Sequence, residues 1–135
     1  MASNNSTIAD PQGEFDDWIE LHNITDAEVD LTGWHLSDEP NNPRKWQFPE
    51  GTKITAQGFL LVWADEDGRD TPGLHASFKL SADGEAIFLT NTDANQNAVL
   101  DSLDYELQET DRSYGRPAAN PDEFVPMNPT PGAPN

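Results

Sequence analysis

The longest apolar run of this chain spans residues 59–63, where large aliphatic and aromatic side chains follow one another and lead into Ala64. Gly58 precedes the run, and the acidic segment 65–70 follows it. A short run of this kind between turn residues is typical of a strand that is buried on both faces. Such a strand needs a packed layer on each side, so the run predicts a protein of at least two layers.

The remaining apolar residues occur in short segments whose side chains alternate, with turn-forming residues between them. Asp83-Gly84 predicts a hairpin that joins segments 74–80 and 85–90, and residues 91–97 predict a second hairpin. No segment of helical length has a 3.6-residue apolar period. With 135 residues the chain suits one domain, and the pattern predicts an all-β sandwich. The predicted strands fall in segments 15–23, 29–36, 45–48, 74–80, 85–90, 99–105 and 113–116.

The charge balance excludes several kinds of partner. Lys and Arg number 7 against 25 Asp and Glu, which gives a formal net charge of -18. Nucleic acid and anionic membrane surfaces need clustered cations, so neither is expected as a partner, and no segment predicts membrane insertion. The chain has no cysteine, which excludes disulfides and thiolate metal sites. Most of the acidic residues are interpreted as a solvated surface, although one or two loops suit calcium.

Two acidic loops are candidate calcium sites. Asp93, Asn95, Asn97 and Asp101 carry oxygen ligands at a spacing that partly matches a calcium-binding loop. The alternative is a polar hairpin turn whose side chains bond their own backbone. The second loop, after the long apolar run, contains Asp65, Asp67 and Asp70. It is also explained as a solvated loop in which Arg69 supplies the counter-charge. The domain is expected to require no cofactor, and calcium is the one candidate ion.

Tryptophan and histidine residues offer further candidates. Trp34, Trp46 and Trp63 lie in apolar segments and are predicted to be core residues, whereas Trp18 shares its side of a strand with Glu20 and His22. Trp18 is therefore the candidate for an exposed ring that stacks on a ligand. The three histidines, His22, His35 and His75, are expected at surface or boundary positions, and no nucleophile elbow is present to indicate a hydrolase.

Several motifs occur in register along the chain: DWIELHN at 17–23, VDLTGWHLSD at 29–38, WQFPEGT at 46–52, GFLLVWA at 58–64, FKLS at 78–81, GE at 84–85, SYGR at 113–116 and PTPGA at 129–133. Together they resemble the lamin tail domain family in its bacterial branch. The resemblance implies an immunoglobulin-like β-sandwich without catalytic residues. Family members usually begin with a strand ahead of the segment that matches Met1, so an open sheet edge is expected here.

The resemblance also implies a role and a domain organisation. Residues 1–13 are expected to be a polar arm or a clipped edge strand, 14–116 the sandwich, and 117–135 a proline-rich tail that packs on the domain or leads to a linker. The expected role is a non-catalytic interaction or spacer module of a larger exported or cell-surface bacterial protein. Its partners would be neighbouring domains, or a protein or polysaccharide ligand. A carbohydrate-binding module is the alternative, and a small hydrolase is the second.

Overall fold

The computed structural model describes residues 1–68 and 71–135, and these residues contain no α-helix, as the sequence predicts. A single 3-10 turn covers Asp93–Asn95. No helix in the described ranges has the length and hydropathy needed to cross a membrane. The strands are β1 (Asp17–His22), β2 (Val29–Asp30), β3 (His35–Ser37), β4 (Trp46–Gln47), β5 (Lys53–Ile54), β6 (Phe59–Ala64), β7 (His75–Ala76), β8 (Glu85–Thr90), β9 (Val99–Tyr105), β10 (Ser113–Gly115) and β11 (Val125–Met127).

Two main sheets face each other across the hydrophobic core. One has the order β1-β6-β7 and the other the order β4-β3-β8-β9, while β2-β5 and β10-β11 form separate two-stranded sheets. Leu36 and Ile87 from the four-stranded sheet share one buried cluster with Val62 and Ala76 from the three-stranded sheet. This arrangement confirms the predicted immunoglobulin-like β-sandwich.

The long apolar run forms the middle strand of the three-stranded sheet, β6. Val62 and Ala64 face the core between the sheets, whereas Trp63 packs on the opposite face with Met1 and Trp18. The second half of β6 is therefore buried on both faces, as predicted. Residues 59–61, in its first half, are only half-buried.

The predicted hairpin between segments 74–80 and 85–90 is wrong, because the chain changes sheet at this point. β7 pairs with β6 in parallel, and β8 pairs with β3 and β9. At the turn, the amide nitrogen of Gly84 lies 3.2 Å from the carbonyl oxygen of Ser81. A Cβ atom on Gly84 would come within 2.7 Å of the Tyr105 carbonyl oxygen, so this turn needs glycine to approach the end of β9. The second predicted hairpin is confirmed by the antiparallel β8-β9 pair.

Both ends of the chain pack against the sandwich. In the arm, the buried side chain of Asn4 donates hydrogen bonds to the carbonyl oxygens of Ile8 and Asp16, both at 2.8 Å. In the tail, β11 pairs with β10, and the amide of Ala118 donates to the carbonyl of Asn135 at 3.0 Å. The domain boundaries at 13/14 and 116/117 stay predictions.

Asp17, the first residue of β1, makes the stability of the domain depend on pH. Burial raises the pKa of Asp17 from 3.8 to about 6; the neighbouring Asp16 adds to this effect, and the Met1 ammonium opposes it. Because the folded chain holds this proton more tightly than the unfolded chain, stability falls as pH rises from about 4 to about 6.

We expect Asp17→Asn to raise the free energy of unfolding by about 1 kcal/mol at pH 7.5 and to have no such benefit at pH 3.5. Urea unfolding at the two pH values measures this difference. Glu50→Gln changes an exposed acid of similar charge and serves as the control. An equal gain from both variants at pH 7.5 would mean that lowered net charge, not the burial of Asp17, is the cause.

Candidate functional site

The first predicted calcium loop has arginine partners for its acids. The carboxylate of Asp93 lies 2.7 Å from the Arg44 guanidinium. Asp101 forms a two-pronged ion pair with Arg116, with contacts of 2.5 and 2.8 Å. The hydrogen bond from Arg116 is the main reason why the pKa of Asp101 is lowered. Because different arginines neutralise the two acids, the geometry gives no support to calcium here, and that site stays a prediction.

The amide residues of the same loop adopt a polar turn. Asn95 directs its side-chain nitrogen to Asn91 at 3.1 Å and to Thr92 at 3.2 Å. Asn97 has a left-handed backbone conformation, with φ of 51°. These contacts match the alternative interpretation of the loop, in which polar side chains stabilise a hairpin connection.

The second acidic loop is divided between a buried and an exposed acid. Asp65 is buried, and its Oδ1 accepts a hydrogen bond from the Asp67 amide at 3.0 Å, while the Asp67 side chain is exposed. Asp70 lies outside the described residues. The loop therefore does not gather Asp65 and Asp67 around one point, although Asp65 takes part in another cluster.

Three buried side chains from distant parts of the chain form that cluster, which we call the Asp10–Asp65–His75 cluster. The exposed fractions of Asp10, Asp65 and His75 are 8%, 7% and 2%. One possible ligand atom from each lies within 4.8 Å of the other two. His75 and His35 were expected at surface or boundary positions, and this expectation is wrong because both are buried.

Hydrogen bonds fix each member of the Asp10–Asp65–His75 cluster. His75 Nδ1 contacts Asp65 Oδ2, and His75 Nε2 lies 3.2 Å from the carbonyl oxygen of Pro72. Asp10 Oδ1 accepts from the amides of Gln12 and Glu14 at 3.0 and 2.7 Å. Burial alone would lower the pKa of His75, but the Asp65 and Pro72 oxygens and the charge of Asp10 together raise it. The cluster joins the arm to the β6–β7 sheet.

Trp18, the predicted ligand-binding ring, is buried. Its exposed fraction is 4%, and it packs with Met1 and Trp63 beneath the arm. The alternation within β1 does place Trp18 on the side away from the core between the sheets, but the arm covers that side. The predicted exposure of Trp18 is therefore wrong.

The outer edge of β1 is open along much of its length. Trp18 exchanges both backbone hydrogen bonds with Met1, at 2.8 and 3.1 Å. The amide of Asn23 donates to the carbonyl of Gly58, next to β6. Because backbone groups alternate in direction along a strand, Glu20 and His22 direct theirs away from β6. In the described part of the chain these outward groups have no partner beyond β1. We call this feature the β1 edge.

An apolar groove of about 530 Å³ lies between the β1 edge and the elements that follow β8. Its walls include half-buried Ile19 and Leu21 from β1 and Leu103 from β9. The tail closes one side, since the Gly132 amide donates to the Glu20 carboxylate at 2.6 Å. The groove therefore combines apolar side chains with unpaired strand backbone, which is the chemistry that an added β-strand requires. Sequence periodicity gave no signal of it, because the groove depends on how β1 and the tail are placed.

Arg116 holds the groove wall formed by the tail. It pairs with Asp101 on β9, and its guanidinium lies 4.1 Å from the centre of the Phe124 ring. We expect Arg116→Lys to lower the free energy of unfolding by about 1 kcal/mol, because lysine loses the two-pronged geometry and the flat stacking surface.

Chemical denaturation measures this loss, and Arg44→Lys is the control because Arg44 makes a single exposed ion pair with Asp93. The interpretation of Arg116 fails if the two substitutions have the same effect.

Three side chains with the chemistry for hydrolysis, those of Ser37, Asp38 and His75, make structural contacts. Ser37 Oγ donates to the Asn42 carbonyl at 2.7 Å and accepts from the Glu39 amide at 2.9 Å, while Asp38 pairs with Lys45 at 2.7 Å. In the ranges that the structure describes, both ring nitrogens of His75 contact oxygen atoms of Asp65 and Pro72, not a hydroxyl. The fold is a β-sandwich of the immunoglobulin-like class.

The sequence model of the Lamin Tail Domain family matches residues 3–106. The chain therefore belongs to the lamin tail domain family, a non-enzymatic family of immunoglobulin-like domains. No curated protein and no solved structure matches the chain significantly.

Proposed function

We propose that this domain is a non-catalytic interaction module of a larger exported or cell-surface bacterial protein. In this proposal the module holds an extended segment of a neighbouring polypeptide against the β1 edge. The observation that supports it most directly is the outward-facing backbone of Glu20 and His22 beside an apolar groove. Peptide binding by strand addition uses main-chain hydrogen bonds for affinity and side-chain pockets for specificity.

The pairing of Met1 with Trp18 indicates the direction of the bound segment. Met1 and Trp18 exchange two hydrogen bonds, as antiparallel partners do. A strand that continues this pattern runs antiparallel to β1, so it pairs first with His22 and then with Glu20 before it reaches the position of Met1. Its alternate side chains would enter the groove between Ile19, Leu21 and Leu103.

Charge favours a different polypeptide over a second copy of this chain. Two copies that paired through their β1 edges would each bring a formal net charge of -18 to the interface. An extended segment that alternates apolar with basic residues would complement both the groove and this charge. We therefore expect the bound segment to carry lysine or arginine at the positions that face solvent.

The buried state of the tryptophans gives less support to the polysaccharide alternative. Trp18, Trp46 and Trp63 are all buried, and Trp34 is packed against the core. A sugar-binding face of the usual kind presents exposed aromatic rings. In the described residues no tryptophan is exposed, so this function would need other aromatic residues.

Selection from a displayed library of random decapeptides tests the proposed function. The expected binders alternate apolar and basic residues. Their affinity should fall at least about tenfold with His22→Pro, which removes an outward N–H without touching the ladder to β6. His22→Ala is the matched control, because it removes the ring and keeps the N–H. Equal binding to the two variants, or retention of the domain on insoluble polysaccharide without peptide binding, would contradict the proposal.

A further inference from the structure

We propose that the Asp10–Asp65–His75 cluster binds a divalent transition-metal ion of the zinc class. This site is separate from the β1 edge and does not depend on the proposed function. One imidazole nitrogen and two carboxylate oxygens form a donor set that suits zinc, whereas calcium prefers oxygen ligands alone and more of them.

The orientation of the histidine fits a ligand. The Pro72 carbonyl accepts from His75 Nε2 at 3.2 Å, which leaves Nδ1 as the nitrogen that faces the acids. Metal-binding histidines characteristically donate their second ring N–H to a carbonyl or carboxylate in this way. The ring is therefore held with its ligand nitrogen directed at Asp65.

The distances allow an ion to be bound after a small movement. Ligand atoms from the three residues lie within 4.8 Å of one another. Two ligands of a tetrahedral zinc ion are separated by about 3.3 Å, given bonds of about 2.0 Å. The Asp65 carboxylate must withdraw slightly from Nδ1, and any proton between them passes to solvent as the ion enters.

The local charge also favours a cation. Asp10 Oδ1 accepts two amide hydrogen bonds, while Oδ2 has no hydrogen-bond partner in the described ranges. Lys79 pairs its backbone with that of Asp65, but its ammonium is directed to Glu66 at 3.8 Å. Among the described residues, one imidazole faces these two buried carboxylates, and a divalent ion would supply further positive charge.

An open cavity lies beside the buried histidine. His75 borders an open cavity of about 690 Å³, whose described walls include Gly68, Gly73 and Leu74. Three protein ligands leave one tetrahedral position, which a water molecule would fill. The site is therefore inside the protein, with the histidine beside an open cavity.

Zinc titration by calorimetry on chelator-treated protein at pH 7.5 tests the site. The expected result is one ion per chain and a higher Tm with zinc. Asp10→Asn and His75→Gln should each weaken binding at least about tenfold. Asp67→Asn and His22→Gln are matched controls on exposed side chains and should leave the affinity within about twofold.

The zinc-edge X-ray absorption spectrum of the unmodified chain gives a second readout, which does not depend on the variants folding. One imidazole and two carboxylate ligands are expected. A first shell without imidazole, a stoichiometry of zero, or equal affinity in Asp10→Asn and Asp67→Asn would overturn the proposal. Loss of peptide binding at the β1 edge would leave it unaffected, so the two proposals fail separately.

Discussion

Asn23→Ala is expected to lower the free energy of unfolding by about 3 kcal/mol, because the side chain bonds two separate stretches of backbone, residues 25–27 and 54–55. The residue is 6% exposed. Its Nδ2 donates to the carbonyls of Ala27 at 2.7 Å, Thr55 at 2.9 Å and Ile54 at 3.2 Å. Its Oδ1 accepts from the amide and the hydroxyl of Thr25 at 3.0 and 2.8 Å. Alanine would leave these buried groups without their partner.

Urea denaturation followed by tryptophan fluorescence measures the change. Asn95→Ala is the matched control, since the Asn95 side chain bonds Asn91 and Thr92 on the exposed turn. This substitution should lower the free energy of unfolding by less than about 0.5 kcal/mol. If Asn23→Ala were as mild as Asn95→Ala, the bonds of Asn23 would be replaceable by water. Asn23 would then not be what joins the end of β1 to the β5–β6 turn.

Trp63→Ala is expected to lower the free energy of unfolding by about 4 kcal/mol and to release the arm from the sandwich. Trp63 is 5% exposed and lies at the centre of a small cluster that contains Met1 and Trp18, with Ile8 and Leu61 packed against it. Removing the ring takes away the surface on which the arm rests. We therefore expect proteases to cut residues 1–13 faster in this variant, even under conditions where most molecules stay folded.

Trp46→Ala separates arm release from general loss of stability. Trp46 is also buried, but it packs in the main core against Phe48 at a ring separation of 4.8 Å. Trp46→Ala should destabilise the domain about as much as Trp63→Ala, but the arm should be cleaved no faster than in the unmodified chain. Comparable cleavage in the two variants at matched stability would show that the Trp63 cluster does not hold the arm.

Local patterns predicted most of the strands, because side-chain alternation follows from which face is buried. Segment 74–80, however, forms a strand over only His75–Ala76, and β11 in the tail was not predicted. The run at 59–63 predicted the buried middle strand, and Trp46, which was predicted to be a core residue, is buried. Pairing was harder. Asp83-Gly84 has the composition of a hairpin turn, yet the chain uses it to pass from one sheet to the other, and only contact with Tyr105 reveals this.

The candidate sites depended on long-range contacts that spacing does not encode. His75 was predicted at a surface or boundary position because it alternates with Leu74 and Ala76. However, β7 is only two residues long, and both of its residues are buried, so alternation does not distinguish a solvent-facing side here. Asp10 reaches the cluster because the arm folds back along β1. Trp18 was misplaced for the same reason, since an apparently solvent-facing side of β1 is covered by residues far from it in the sequence.

The attachment of both chain ends to β1 has a mechanical consequence. Met1 is hydrogen-bonded to Trp18, and Gly132 is hydrogen-bonded to Glu20, two residues further along the same strand. A force that pulls the two ends apart is therefore applied first to the bonds of the arm and the tail, which include these two and the Ala118–Asn135 bond, and not across the sheets. The sandwich would carry little of the load until the arm and the tail had peeled away. Under tension the domain would lengthen in steps, with its core intact during the first of them.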